Sequence, residues 1–247
     1  MRTIRVHHPG PLTRGACLVL EERPAMHLIR VLRLKAGAPV VVFDGVDAEH
    51  DAILGVGRDG LAVLDVGAVR AMMPRSPLSI TLAQGVSRGE RMDYAIQKAT
   101  ELGVSAIAPL LCERSVVRLD AEQAVRKVAH WEGIAIAASE QSGRTDVPAV
   151  AAPVRLEEHL ANALQTPDVR LRLVLDPACQ TGPSALPAGL SNIELLIGPE
   201  GGLSDRELDL ARRAGYQSLR LGPRVLRTET AAAAAIAVLQ ALHGDLG

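Results

Sequence analysis

The feature that most constrains this fold is a change of rhythm at Met72-Met73-Pro74-Arg75-Ser76-Pro77, where two prolines in four residues stiffen the chain. Before it come short apolar runs, RTIRV, CLVL, PVVVF, EHDAILGV and LAVLDV. The turn dipeptides Asp44-Gly45 and Asp59-Gly60 punctuate them, as in the strands of a small β-barrel. One helical stretch interrupts, RPAMHLIRVLRL, with Pro24 suited to a first turn that needs no N–H there. After the connector, strand-like runs alternate with helical ones. LSITLAQG leads into ERMDYAIQKATELG, whose Met92, Ala95, Ile96, Ala99 and Leu102 make one apolar stripe ended by Gly103. VSAIAPLL, VRLRLVLD, NIELLI and QSLRL read as further strands, and Asp120 with Gln123 marks the start of a long helix. The expectation is a β-barrel domain over 1–72 and an α/β domain over 73–247, with a mostly parallel sheet covered on both faces.

Composition narrows the function. Lysine and arginine, 27 together, nearly cancel 28 acidic residues, and only Lys35, Lys98 and Lys127 are lysines, which leaves 24 arginines. Arginine forks onto phosphate and stacks on bases, but a nucleic-acid role then requires the arginines to be concentrated on one surface. Phe43, Tyr94, Trp131 and Tyr216 are too few aromatics for a base-stacking platform. Cys17, Cys112 and Cys179 are widely spaced and odd in number, and no histidines pair at ligand spacing, so no metal site is expected. The first ten residues lack an apolar signal core, and the alanine run after Thr230 is well short of the ~20 residues a membrane span needs. A cytoplasmic protein with no membrane contact is expected.

Open α/β sheets bind ligands beyond the carboxyl ends of their strands. Three late strand ends, Leu175-Asp176-Pro177, Ile197-Gly198-Pro199 and Leu221-Gly222-Pro223, are placed for this. The second and third share a plan of strand, Gly-Pro, irregular loop and helix. Ser204 and Glu207 form a capping box after one, and Thr228 or Thr230 is placed to cap the helix after the other. In Gly198-Pro199-Glu200-Gly201-Gly202, proline removes a backbone donor and the glutamate repels phosphate, so neither a dinucleotide fingerprint nor a P-loop fits. A phosphate-free ligand with positive charge suits the loop, as S-adenosylmethionine (SAM) would. A tight turn whose glutamate bonds locally is the plain alternative.

LLIGPEGGLSDRE at 195–207 and LGPRVLRTETAAAAAI at 221–236 resemble the last two motifs of the RsmE family, SPOUT-type methyltransferases that modify a uridine in 16S rRNA. HLIRVLR at 27–33, SRGERMDYAIQKATELGV at 87–104, ERSVVRL at 113–119 and EQSGR at 140–144 resemble other family segments, in the family's order. The resemblance implies a PUA-like β-barrel followed by a SPOUT-type parallel sheet with a C-terminal trefoil knot. It also implies a homodimer whose active site draws on both subunits. SAM would sit against Leu175, Gly198, Pro199, Glu200, Gly201, Gly202, Leu221, Gly222, Leu226, Arg227 and Thr228.

The implied reaction is methylation of uridine N3, which needs an unpaired base, a route for the proton and stabilisation of the developing anion. Arg227 is the expected source of positive charge. Glu229 either orients it, accepts the proton, or is a first-turn glutamate favoured by the helix dipole. His27, Arg30 and Arg33 recur every three positions and are implied to touch rRNA of the small ribosomal subunit, with Arg88 and Arg91 as a second phosphate contact. Whether Glu140, Gln141 and Arg144 line the cleft or a dimer contact is left open. Two other classes compete: an inactive rRNA-binding assembly factor of the same fold, and a nucleotide-using α/β enzyme.

Overall fold

The computed structural model describes residues 3–71, 73–165 and 170–247. Arg2 in the first expected strand, Met72 in the connector and Val169 at the head of VRLRLVLD lie outside the described residues. Two compact units are present, Met1–Pro74 with Ile136–Val147, and Arg75–Ala135 with Pro148–Gly247.

In the first unit, β1 (Arg5–His7), β2 (Cys17–Val19), β3 (Pro39–Phe43), β4 (Glu49–Val56) and β5 (Ala62–Val69) form one sheet in the order β1-β3-β4-β5-β2. Its pairs are antiparallel except β1 with β3. Alternate residues, among them Val40, Val42, Ala52, Leu54, Leu64 and Val66, share one apolar core. The expected helix over 23–34 is shorter and differently wound. α1 (Glu22–Met26) passes into a π-helical turn, His27–Val31, in which Leu32 N–H donates to the His27 carbonyl. Arg33 then adopts φ 54°, and Leu34 N–H closes back onto the Leu28 carbonyl at 3.0 Å. The widened turn lets Leu28 and Leu34 both reach the core, and it takes Arg33 off the helix. Three-residue spacing therefore relates His27 to Arg30 but not to Arg33.

Residues 136–147 join this unit through its buried charge. Arg5 pairs with Glu49 at 2.8 Å and donates to the Arg144 carbonyl at 2.7 Å. His7 N–H donates to Glu140 at 3.0 Å, and Thr145 reaches Glu49. Glu140 and Arg144 are thus engaged within the first unit.

The second unit is built on β6 (Ser79–Gly85), α2 (Glu90–Glu101), β7 (Ala106–Leu111), and α3 (Ala121–Ser142) up to Ala135. There follow β8 (Ala149–Val150), β9 (Val154–Arg155), α4 (Leu156–Gln165), β10 (Leu171–Leu175), β11 (Asn192–Ile197), α5 (Asp205–Arg213), β12 (Gln217–Leu219) and α6 (Thr228–His243). The strands run β12-β10-β11-β6-β7-β8, every pair parallel, with β9 also on β7. The expected parallel α/β sheet is therefore present. Leu156 and Leu160 of α4 and Ala211 of α5 pack with Ala83, Val174 and Leu196 of the sheet, while α2 packs on α6. Asp120 and Gln123 exchange the expected capping bonds at the start of α3. On β11, Glu194 is buried against Arg170, His159 and the Tyr216 hydroxyl. Burial works to raise its pKa, but these partners hold it down at about 2.

Candidate active site

The adjacent strands β12, β10 and β11 end side by side, and the loops that follow enclose a cavity of about 590 Å³. That is ample for a small-molecule cofactor. Leu175, Gly198 to Gly202, Leu221, Gly222, Leu226, Arg227, Thr228 and Glu229 all line it, so the structure gathers around one space every residue expected to hold cofactor or perform chemistry.

The first loop is locked from several sides. A Cβ on Gly85 of β6 would stand 2.5 Å from the Pro199 nitrogen, and one on Gly198 would stand 2.8 Å from the Leu203 nitrogen. Main chain fills those spaces, so only glycine is tolerated. Arg114, from the loop after β7, donates to the carbonyls of Gly201 and Leu203 at 3.2 and 3.3 Å. Ser204 and Glu207 form the expected reciprocal capping box, and Glu207 also accepts from Glu113 N–H at 2.8 Å.

Glu200 Oε1 accepts from Arg88 N–H at 2.8 Å and from the Arg91 guanidinium at 3.2 Å. Burial pushes its pKa up, but these donors outweigh it and hold the carboxyl below the usual glutamate range. It is therefore ionised at neutral pH.

The second loop is looser. Gly222, Pro223, Arg224 and Val225 are all exposed, and Arg220 Nε donates to the Gly222 carbonyl at 2.8 Å. Its helix cap differs from expectation. The N-cap of α6 is Arg227, with no side-chain cap bond, and Thr228 is the first helical residue. The Thr228 hydroxyl instead donates to the Gly198 carbonyl at 2.7 Å and accepts from Gln84 Nε2 at 2.9 Å. It ties the loops together instead of closing the helix.

Two buried carboxylate oxygens in the cavity wall, Glu200 Oε2 and Glu229 Oε2, meet no donor among the described residues. Glu229 Oε2 receives no bond from Arg227 or from any other donor among the described residues. Unmatched buried acceptors suit a ligand that brings positive charge or N–H donors. The proline, the glutamate and the phosphate-free pattern of the loop agree with SAM, whose sulfonium and amino groups supply both.

His27, Arg30 and Arg33 are exposed on the first unit. Arg88 and Arg91 are also exposed; Arg91 pairs with Glu200 through its guanidinium and Arg88 only through its main-chain N–H, a structural task that the sequence did not reveal. Sequence reasoning also missed Gln84, Arg114 and Asp176. Asp176 is buried beside the cavity and accepts from Arg212 at 2.9 Å and Ser218 at 3.2 Å. Its signal was present in the strand end Leu175-Asp176-Pro177, where a carboxylate follows five apolar-patterned residues. No cluster of three metal-ligating side chains occurs among the described residues, and no described helix is long and apolar enough to cross a membrane.

Comparison with known proteins identifies the family of the chain. Residues 74–240 match the model of the RNA methyltransferase domain. The Ribosomal RNA small subunit methyltransferase E of Bacillus subtilis is 31% identical over 89% of this chain and 89% of its own. A Legionella pneumophila protein crystallised with SAM superposes with TM-score 0.93 at 39% identity, each chain fully covered. Ribosomal RNA small subunit methyltransferase E from Neisseria gonorrhoeae, bound to S-adenosyl methionine, gives TM-score 0.90 at 36% identity, again over both whole chains. With its parallel sheet, its small N-terminal β unit and its cavity of Gly-Pro loops, the chain belongs to the RsmE family of RNA methyltransferases.

Proposed function

We propose that this protein transfers a methyl group from SAM to N3 of a specific uridine in 16S rRNA of the small ribosomal subunit. The observation that carries the reading is the cavity beyond β10, β11 and β12, with two carboxylate oxygens that lack donors among the described residues. SAM, when bound, supplies the methyl group on a cationic sulfur. Gly198 to Gly202, Leu221, Gly222 and Leu226 hold it largely through main chain, and the ionised Glu200 favours its positive charge. Leu175 and Thr228 complete the wall.

Methylation at N3 forms a carbon–nitrogen bond, breaks a carbon–sulfur bond and releases the N3 proton. Arg227 is exposed at the cavity with no carboxylate paired to it among the described residues, and it stabilises the negative charge that builds on the uracil ring. Glu229 Oε2, buried and without a donor, takes the proton. The uridine must leave its stack to reach this place. His27, Arg30 and Arg33 on the first unit, with Arg88 and Arg91 on the second, supply contacts to the RNA backbone. By family, the chain after β12 is knotted, the active enzyme is a homodimer, no metal takes part, and the setting is the cytoplasm, where ribosomes mature.

A methyl group on N3 blocks base pairing, so reverse transcriptase stops at the modified uridine. Small subunits from cells lacking this gene should read through that position and regain the stop after incubation with the protein and SAM. Read-through that persists after incubation overturns the assignment. Arg227→Ala should lower kcat about 100-fold or more, the range for loss of one charge-stabilising donor, with SAM affinity changed less than threefold. Equal loss of both would remove Arg227 from the chemistry.

A further inference from the structure

One buried polar side chain has no part in that chemistry. Gln84 lies near the end of β6 and is 1% exposed. Its Nε2 donates to Thr228 Oγ1 at 2.9 Å and to the Gly85 carbonyl at 3.1 Å. Thr228 passes its own hydroxyl proton to the Gly198 carbonyl at 2.7 Å. A hydroxyl has one proton to give, so once that goes to Gly198 the oxygen accepts from a donor, which is the nitrogen side of the Gln84 amide. This fixes the amide's orientation and leaves Gln84 Oε1 buried with no donor among the described residues. A leucine would fill similar space without burying Oε1, but it would take the donor from the Thr228 hydroxyl, so the glutamine is held here for that bond.

What the glutamine adds is direction. Gly198 opens one cavity loop and Thr228 closes the other, and the chain Gln84–Thr228–Gly198 joins both to the middle of the sheet. Its neighbour Gly85 sets the same level by contact, since main chain at Pro199 fills the place of a Cβ. We propose that Gln84 is a positioning residue that sets the spacing of the two loops through the Thr228 hydroxyl, touching neither cofactor nor RNA itself. The proposal rests on reading the cavity as the SAM site.

Calorimetric SAM titration of the full chain, paired with the melting temperature of the ligand-free protein, tests it. Gln84→Leu and Thr228→Val should each weaken SAM binding about tenfold, and the double variant should be no worse than either single, because both cut one chain of bonds. Gln84→Met keeps the length but loses the donor and should bind no better than Gln84→Leu. Thr228→Ser keeps the hydroxyl and should stay within about twofold of wild type. Ligand-free melting of Thr228→Val should match that of Thr228→Ser within a few degrees. Unchanged affinity in Gln84→Leu or Thr228→Val, or losses that simply add in the double variant, would overturn the proposal. Should the Gln84 variants fail to fold, the Thr228→Val and Thr228→Ser pair decides the same question one bond further along. Wild type that binds no SAM defeats the cofactor assignment and this inference with it, whereas variants that bind as well as a competent wild type defeat this inference alone.

Discussion

The two Gly-Pro loops of the cavity share a plan in sequence and differ in how they are held. In the loop that begins at Gly198, Pro199 and Leu203 are buried, Arg114 and Arg91 reach in from other segments, and glycine is demanded because main chain presses on it. In the loop that begins at Gly222, four residues in a row are exposed, and a Cβ on Gly222 would meet nothing within 4 Å. Here glycine is demanded only by its φ of 74°. One loop is a fixed wall and the other is anchored at its ends, by Arg220 and by Thr228. The same dipeptide therefore serves two purposes: close approach of backbone in the first, and a change of chain direction in the second. One cavity thus has a closely held wall on one side and an exposed edge on the other.

The largest predicted effect breaks the fixed wall. Gly198→Ala places a methyl group 2.8 Å from the Leu203 nitrogen and 2.9 Å from the Gly202 carbonyl carbon. Neither neighbour is a flexible side-chain end, so the loop itself must move. Overpacking of this kind costs about 2–3 kcal/mol, which should appear in denaturant unfolding. Because the displaced atoms are the cavity wall, SAM affinity should fall about 100-fold, equivalent to some 2.7 kcal/mol. Near-normal affinity in Gly198→Ala would mean that the first loop is as adaptable as the second.

A smaller effect follows from the charge that holds the wall. Glu200 has its pKa lowered in the folded protein, because its donors overcome the opposing effect of burial. For a depressed carboxyl, the stabilisation is complete above the unfolded value of 4.5 and is lost as pH falls through the lower folded value. Wild-type SAM affinity should therefore hold steady from neutral pH down to the ordinary glutamate range and decline only below it. Glu200→Gln should bind about tenfold more weakly at pH 7, the size of one hydrogen bond to a charged group. It should also lack the acid decline. Identical pH profiles for the two proteins would show that Glu200 is a turn residue only.

The contrast between the loops also explains what could be read from the sequence. Gly-Pro-Glu-Gly-Gly was legible because its chemistry is local: a proline without a donor and a glutamate exclude phosphate wherever the loop sits. The strand–helix alternation carried the parallel sheet for the same reason, since each period is written within a dozen residues. Gln84 was not legible, because its partner Thr228 is 144 residues away and a glutamine near a strand end looks like any polar edge residue. The bond between Arg91 and Glu200 was not legible either, because it spans 109 residues. The π-turn at His27–Val31 escaped for a different reason. Inserting one residue into a helical turn leaves the apolar spacing of Leu28 and Leu34 unchanged as a sequence pattern, although it redirects Arg33. Neither Thr228 nor Thr230 caps α6: hydroxyls at helix starts usually bond locally, but here a carbonyl from another loop takes the Thr228 hydroxyl.

The smallest predicted effect belongs to the adaptable loop and serves as the control for the first. Gly222→Ala meets no neighbouring atom, so its cost is confined to the left-handed backbone that alanine resists. That amounts to about 1–2 kcal/mol if the loop keeps its shape. With Gly222 to Val225 exposed, however, the loop can relax toward negative φ without disturbing the sheet, so the measured loss in unfolding free energy should be nearer 0.5–1 kcal/mol. SAM affinity should fall about threefold, through the Leu221 and Gly222 main chain alone. Transfer to rRNA should suffer more than cofactor binding, because Arg224, Val225 and Arg227 move with the loop. A variant that loses SAM binding as completely as Gly198→Ala, with stability equally reduced, would show that both loops are fixed walls and that RNA must be admitted elsewhere.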